Sequence, residues 1–252
     1  MNVGLRRLSS CALLGTIAFS HAGAAETAPD VPVLTHTVVL SKLENPWDMA
    51  LLPDGTMFFT EKCKGLSVRT ADGKVNPLLG MKDTNGYADT AADLFCEGQA
   101  GMQGVVADPD FAKNRLIYVY STSSKTAPGT NRVMRLKVSD DFSKVSDRKD
   151  IVDDIPYKPM ATDHPFGGPG AHNGGRLRFN PGDGFLYVTT GDTHNGEVPQ
   201  SPTKIGGKVL RIDRDGKAAA DNKAPEGFDK RIYTYGHRNP QGIAFRPGTN
   251  QP

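Results

Sequence analysis

Two polar side chains in glycine-rich turns are the strongest candidates for acid–base chemistry. His172 lies in "GAHNGGRLRF" (170–179), just before a strand-like segment, and Asp192 lies in "TTGDTHNG" (189–196), just after the next one. Glycine lets the backbone of a turn approach a ligand closely, and an uncovered imidazole can accept a proton at neutral pH. A hairpin would bring Asp192 beside His172, where a carboxylate fixes the tautomer of the imidazole. A surface histidine bonded to a carbonyl and an ordinary turn aspartate are the alternatives that these residues leave open.

Two further segments carry side chains suited to an anionic ligand. In "YGHRNPQGIAF" (235–245), Arg238 offers a planar fork of donors, Asn239 both donates and accepts, and Pro240 stiffens the turn. In "CEGQAGMQGVV" (96–106), Gln99 lies in another glycine-flanked turn before a strand. The alternatives are an ion pair of Arg238 with an acidic residue of a neighbouring sheet, and a solvated Gln99.

Histidines near these segments do not form a recognisable metal motif. His164 and His194, taken together with His172, lack the spacing of a known ligand set. We therefore predict no metal ligand within this chain.

A recurring pattern predicts the elements that must position these side chains. Proline next to aspartate or glycine, followed by a hydrophobic and aromatic segment, is typical of a hairpin. The copies span residues 49–61, 105–122, 177–192 and 243–252, and the fourth copy has only its first strand and the turn. Further strands are predicted in "GLSVRTADGKV", "NRVMRLKVS" and "GGKVLRIDRDGK", and the helical signal is thin. We therefore predict an all-β chain with the repeated sheets of a β-propeller, a β-sandwich being the alternative.

The first 25 residues have the composition of a secretory signal peptide. Arg6 and Arg7 precede the apolar run "CALLGTIAF", and small residues follow for cleavage near Ala24 or Ala25. The apolar run is too short to span a bilayer. We predict a periplasmic or secreted protein without membrane insertion. Without the two arginines, 28 basic residues face 28 acidic ones and no basic stripe stands out, which argues against nucleic acid as a partner.

In an exported protein, two of the cysteines could form a disulfide. Removal of Cys11 with the signal peptide leaves Cys63 and Cys96, an even pair in an oxidising compartment. A disulfide and two unbonded buried thiols both fit, because the sequence alone does not place their Cα atoms.

Taken together, these segments resemble the soluble quinoprotein sugar dehydrogenases, the glucose/sorbosone and aldose sugar dehydrogenase family. The matching segments, in the family's order, are "NPWDMALLPDG", "EGQAGMQGVVADPDF", "HNGGRLRF", "YVTTGD", "GGKVLRID" and "YGHRNPQGIAF". The match runs from about Leu34 to Pro252, and "GHRNPQG" with the upstream histidine turn is its most specific part. The resemblance implies a six-bladed propeller, of which residues 26–252 form a partial domain with about three to four blades.

The resemblance also implies a chemistry. Pyrroloquinoline quinone (PQQ) is the expected cofactor, with Ca²⁺ beside it, and the C1 hydroxyl of an aldose is oxidised to a lactone. The position of His172 matches the family's general base, which takes the hydroxyl proton while hydride passes to the quinone, and Asp192 matches the residue that supports it. Gln99, Arg238 and Asn239 match positions that contact the cofactor or lie beside it. A soluble quinone or cytochrome is the expected electron acceptor.

The sequence departs from the family in places that bear on activity. Ala171 stands where some members have an acidic residue, and the loop "THNGEVPQ" differs from the substrate loop of the glucose enzyme, so the resemblance does not extend to a preference for glucose. The family's Ca²⁺-binding turn and further basic contacts come later than Pro252, so we expect the Ca²⁺ ligands in a missing C-terminal part. We predict that the full-length parent is an enzyme and that this chain alone is an incomplete form, inactive or poorly folded.

Two other functions stay open at this stage. A non-catalytic exported propeller that binds carbohydrate or protein would not depend on His172. A Ca²⁺-dependent, lactonase-like propeller would need several carboxylate or amide ligands from different blades, and only Asp192 is a candidate.

Overall fold

Antiparallel β-sheet dominates the part of the chain that the structure describes. The computed structural model covers residues 32, 34–159 and 167–252. These residues contain thirteen strands, one short α-helix and one short 3-10 helix, so the prediction of an all-β chain is confirmed. The predicted signal peptide (1–25) and His164 lie outside the described residues.

The chain divides into two compact units, Met1–Val39 and Leu40–Pro252. In the first unit, the described residues 32 and 34–39 form neither helix nor strand. All thirteen strands and the candidate site belong to the second unit. None of the helices in the described ranges has the length and apolar character needed to cross a membrane.

Three sheets follow one another along the chain, each built mainly from consecutive antiparallel strands. The first contains β1 (Pro46–Leu51), β2 (Met57–Glu61), β3 (Gly65–Arg69), β4 (Val75–Met81) and β5 (Asp89–Ala91), the last of which runs parallel to β4. The second contains β6 (Met102–Ala107), β7 (Leu116–Ser123), β8 (Thr130–Val138) and β9 (Val145–Pro156). The third contains β10 (Gly174–Phe179), β11 (Leu186–Thr190), β12 (Lys208–Ile212) and β13 (Ile232–Tyr235). The first strand of the middle sheet, β6, contacts both β1 and β10, as expected for blades around an axis.

The predicted turns form, but a short helix is inserted at one of them and a predicted strand is missing beside another. Between β1 and β2, Leu52 N donates to Thr56 O at 2.8 Å, and Gly55 takes a φ of +87° that favours glycine. Between β6 and β7, the one-turn helix α1 (Phe111–Asn114) is inserted. The strand predicted to begin at Ile243 is wrong: the turn after it forms, but residues 243–245 make no ladder with any described strand. A strand needs hydrogen bonds to a neighbour, and a suitable side-chain pattern does not supply one.

Apolar side chains between neighbouring sheets form two hydrophobic cores. Alternation along β7 sends Ile117 and Val119 into the core shared with the first sheet, and Tyr118 and Tyr120 into the core shared with the third. All four side chains are fully buried. Burial of an aliphatic side chain of this size stabilises the fold by about 1.5–3 kcal/mol. The middle sheet is therefore covered on both faces and fixes the positions of its neighbours.

An ion-pair cluster joins the first strands of the three sheets; this hub cluster consists of Trp47, Asp48, Arg176 and Arg178. The Asp48 carboxylate accepts two hydrogen bonds from Arg178, each at 2.9 Å, and one from the Val105 amide of β6 at 3.1 Å. Arg176 pairs with the same carboxylate, and its Cζ lies 4.3 Å from the centroid of the Trp47 ring. Because a buried carboxylate is tolerated only when it is paired, the cluster ties the first sheet to the third.

A disulfide joins Cys63 to Cys96, with the two Cα atoms 5.1 Å apart. Of the two possibilities that the sequence left open, the structure has the bridge. It connects the turn between β2 and β3 to the segment that carries Gln99. In the chain-entropy model, closing a loop of this length stabilises the fold by about 3–4 kcal/mol.

Candidate active site

The five residues predicted for the site lie at one end of the second and third sheets. They are Gln99, just before β6; His172, just before β10; Asp192, just after β11; and Arg238 and Asn239, just after β13. Successive antiparallel strands reverse direction, so the start of one strand lies beside the end of the next. Accordingly, Gly174 of β10 pairs with Thr190 of β11, and Lys208 of β12 pairs with Tyr235 of β13.

His172 and Asp192 form a buried pair. His172 Nδ1 lies 2.7 Å from Asp192 Oδ1, and the residues are 6% and 5% exposed. An ionised carboxylate can only accept a hydrogen bond, so the imidazole proton is on Nδ1. The Nε2 atom of His172 is therefore left as a lone-pair acceptor, which is the tautomer that a general base requires.

The backbone around Asp192 fixes the direction of its carboxylate. Asp192 N donates to Arg238 O at 2.9 Å, and His194 N donates to Asp192 Oδ1 at 2.7 Å. At Gly191, a Cβ atom would collide with the carbonyl group of His172, so only glycine allows the two turns to come this close. The glycine before Asp192 is thus needed for the contact between the histidine and the carboxylate.

Gln99 and Asn239 both use their side-chain oxygen to hold the backbone near His172. Gln99 Oε1 accepts a hydrogen bond from His172 N at 3.1 Å, and Asn239 Oδ1 accepts one from Gly174 N at 2.8 Å. Within the described residues, neither amide nitrogen donates to a protein acceptor. Both side chains therefore have hydrogen-bond donors available for a ligand.

Arg238 is exposed, and its guanidinium forms no ion pair with an acidic side chain of the described residues. The alternative in which it pairs with an acid of a neighbouring sheet is not observed there. Its charge nevertheless acts on His194: burial is the largest cause that holds the pKa of His194 below its ordinary value, the cations Lys158 and Arg238 lower it further, and Asp192 opposes them. Lys158 and Arg238 thus place positive charge near His194, which favours an anionic ligand there.

Sequence reasoning gave no role to two residues that shape this site. The His194 ring lies with its centroid 4.5 Å from that of His172. Lys208 is fully buried, and its Nζ donates to three carbonyl oxygens of the loop between β11 and β12, each at 2.9 Å. Burial lowers the pKa of Lys208 to about 8. The position of His194 two residues after Asp192 could have indicated that it lies at the site. Lys208 lies in an ordinary strand sequence, which gives no such indication.

Metal ligands are not gathered at this site. Across residues 34–159 and 167–252, no group of three His, Cys, Asp or Glu side chains is arranged to hold a metal ion. The described residues therefore offer carboxylate, imidazole, amide and guanidinium groups, which suit proton transfer and anion binding.

A separate cavity of about 460 Å³ lies at the other end of the third sheet. Three of its charged groups are paired with one another: Arg211 donates to Asp183 at 3.0 Å and to Asp221 at 2.6 Å. The cavity lacks a proton acceptor placed like His172, so the candidate site is the one at the His172 end.

Comparison with known proteins gives a consistent result. A family model described as "Glucose / Sorbosone dehydrogenase" matches residues 43–251. The aldose sugar dehydrogenase YliI of Escherichia coli (strain K12) is 31% identical over 216 residues, covering 84% of this chain and 53% of that protein. The quinoprotein glucose dehydrogenase B of Acinetobacter calcoaceticus is 30% identical over 238 residues, covering 83% of this chain and 45% of that protein. The chain thus spans about half the length of these curated relatives.

A solved structure extends the likeness to the fold. The PQQ-bound aldose sugar dehydrogenase from Streptomyces coelicolor matches with a TM-score of 0.66 and 27% identity, covering 84% of this chain and 56% of that one. Together with the order of the sheets, this likeness confirms the predicted β-propeller fold. The number of blades in the complete ring stays a prediction.

Proposed function

Because the chain belongs to the glucose/sorbosone dehydrogenase family, we propose that it carries the proton-accepting and quinone-binding residues of a PQQ-dependent aldose sugar dehydrogenase. The observation that carries the proposal is the His172–Asp192 pair at 2.7 Å, which lies beside an arginine with no acidic partner among the described residues. The reaction is oxidation of the C1 hydroxyl of an aldose to a lactone.

The donor set of the site fits PQQ, which carries three carboxylates and an ortho-quinone. Arg238 supplies a guanidinium, the group best suited to bind a carboxylate with two hydrogen bonds. Gln99 and Asn239 supply amide donors, because their oxygens are already occupied by the backbone. We propose that these three residues hold the cofactor, with its acceptor atoms meeting protein donors.

The residues of this chain divide the chemistry between them. His172 Nε2 accepts the proton of the C1 hydroxyl, while Asp192 holds the ring in the required tautomer and stabilises the imidazolium that forms. When bound, the quinone supplies the acceptor for the hydride of C1. The hydroxyl oxygen loses the proton and C1 loses the hydride, so the C1–oxygen bond becomes the carbonyl of the lactone and the atoms balance.

Calcium stays a prediction of the resemblance. The described residues contain no group of three His, Cys, Asp or Glu side chains arranged to hold a metal ion, and no step of the mechanism is derived through calcium. Export to the periplasm, the identity of the sugar and a soluble quinone or cytochrome as acceptor are likewise proposals.

The test is a dye-reduction assay of the protein produced from its complete reading frame. We expect aldose-dependent reduction that requires added PQQ, with Ca²⁺ present, and we expect His172→Ala to lose turnover and keep PQQ binding. Lactone hydrolysis with Ca²⁺ alone would support the lactonase instead, and carbohydrate binding without turnover would support a non-catalytic propeller. The same assay on residues 26–252 tests the separate prediction that these residues alone are inactive or poorly folded; turnover by them would contradict that prediction.

A further inference from the structure

A chain of buried side-chain hydrogen bonds runs beneath the candidate site. Gly101 N donates to Thr122 Oγ1 at 3.1 Å, and the Thr122 hydroxyl donates to Asn131 Oδ1 at 2.8 Å. Asn131 Nδ2 then donates to Asn173 Oδ1 at 2.9 Å. Thr122 and Asn131 are fully buried, and Asn173 is 1% exposed. Two polar side chains of the middle sheet and one of the turn before β10 are thus joined without access to solvent.

Side branches leave little hydrogen-bonding capacity unused. Asn131 Nδ2 also donates to Pro156 O at 2.8 Å, and Asn173 Nδ2 donates to Gly170 O. The hydroxyl of Tyr120, itself fully buried, donates to Asn173 O at 2.7 Å. A fully satisfied polar network of this kind specifies one geometry, because any displacement leaves a buried group without a partner.

The two ends of the network lie in the two turns that carry site residues. Gly101 belongs to the turn that presents Gln99, whereas Gly170 and Asn173 flank His172 on both sides. The turns meet directly where Gln99 Oε1 accepts from His172 N at 3.1 Å.

Glycines keep the two turns in close contact. A Cβ atom at Gly98 would collide with the carbonyl oxygen of Pro169, and one at Gly170 would collide with that of Glu97. Because their backbones are in direct contact, the two turns cannot move independently, and a displacement of one displaces the other.

We propose that Asn131 and Thr122 are positioning residues for the candidate site, holding Gln99 and His172 in one fixed arrangement although they touch neither side chain. Asn131 lies on β8 and Thr122 on β7, so the rigid, doubly covered middle sheet is the support. The predicted effect on turnover rests on the proposed function. The predicted effect on the backbone of His172 rests on the structure alone.

Substitutions of graded severity test the proposal. Thr122→Val keeps the shape of the side chain but removes both its hydrogen bonds, whereas Thr122→Ser keeps the hydroxyl. Asn131→Ser removes both amide donations. Asn222→Ser is the matched control, because Asn222 Nδ2 also donates to two carbonyl oxygens, at 2.8 and 2.9 Å, but at the far end of the third sheet.

The first measurement is hydrogen exchange of the backbone amides of Gly101 and His172 in the protein without ligand. We expect Thr122→Val and Asn131→Ser to speed exchange at both amides by about tenfold or more relative to amides within the strands that follow, β6 and β10. Thr122→Ser should restore protection, and Asn222→Ser should leave both amides unchanged. Protection at His172 that stays within about threefold of the parent in both severe variants would overturn the proposal. If one severe variant does not fold, the other decides.

The second measurement is kcat and PQQ affinity of the protein from its complete reading frame. Misplacement of a catalytic group by about 1 Å costs on the order of 10²-fold in rate, so we expect kcat to fall by about 10–100-fold in the severe variants. The control and Thr122→Ser should stay within about threefold of the parent. If the parent itself neither binds PQQ nor oxidises aldoses, the proposed function fails and the exchange measurement alone decides the inference.

Discussion

Two regions of this molecule treat positive charge in opposite ways. In the hub cluster, Arg178 binds both oxygens of Asp48 at 2.9 Å, and Arg176 shares that carboxylate. At the candidate site, Arg238 is exposed, and among the described residues no acid neutralises it. The first region uses its charge to join sheets, whereas the second keeps its charge available for a ligand.

The difference has an energetic basis. A buried ion pair offsets the cost of desolvation only while both partners are present, so the hub cluster tolerates little change. An exposed arginine costs the folded state little, and it gains most when an anionic ligand reaches it. Substitutions should therefore separate the two regions: the hub should affect stability, and the site should affect binding and turnover.

The largest effect is expected for His172→Ala. Loss of a general base lowers kcat by about 10²–10⁴-fold. Asp192→Asn should lower kcat as well, because an amide in place of the carboxylate no longer holds Nδ1 protonated. Steady-state kinetics and PQQ titration measure the effect, and both variants should keep the cofactor affinity of the parent. Weakened PQQ binding with unchanged kcat would mean that His172 binds the cofactor and does not accept the proton.

The next effect is expected for Asp48→Ala, which leaves two arginines of the hub cluster without their carboxylate. Breaking a buried pair by removing one partner destabilises a fold by about 3–5 kcal/mol. Urea unfolding measures the change in the free energy of unfolding. PQQ affinity of the remaining folded protein should be unchanged. A loss below about 1 kcal/mol would show that the cluster does not hold the first sheet to the third.

A smaller effect is expected for Arg238→Ala. Charge-assisted hydrogen bonds contribute about 1.5–3 kcal/mol, so PQQ affinity should fall by roughly 10–100-fold. Stability should change by less than about 0.5 kcal/mol, because the side chain is exposed. Arg246→Ala is the matched control, since Arg246 is an exposed arginine on the same terminal segment. Equal affinities of the two variants would remove Arg238 from the site.

Sequence patterns correctly predicted the features that depend on residues close together along the chain. The turn at Gly55 and the strands of the three sheets follow from proline, glycine and alternating apolar residues. The contact of His172 with Asp192 follows from two strand ends in one hairpin. These inferences need only residues close together along the chain.

Contacts between distant segments were beyond such patterns. Asp48 and Arg178 are 130 residues apart, and either one could have paired with many other charges. Thr122 and Asn131 occupy ordinary strand positions, so only the packing of two sheets shows that they meet Asn173. The strand predicted at 243–245 failed for a related reason, because pairing depends on a neighbour that a local pattern does not reveal.

The smallest effect is expected in the titration of His194. Burial is the largest cause that lowers its pKa below the ordinary value of about 6.5, and the cations Lys158 and Arg238 lower it further. The unfolded chain therefore binds this proton more readily, and the contribution of His194 to stability falls as pH drops through about 6.5. Arg238→Ala should raise the pKa of His194 by removing a cation, and bound PQQ should raise it by adding an anion, as followed by NMR. Arg246→Ala should leave it unchanged. If Arg238→Ala also leaves it unchanged, the field of Arg238 does not reach this site, and the contrast with the hub cluster is lost.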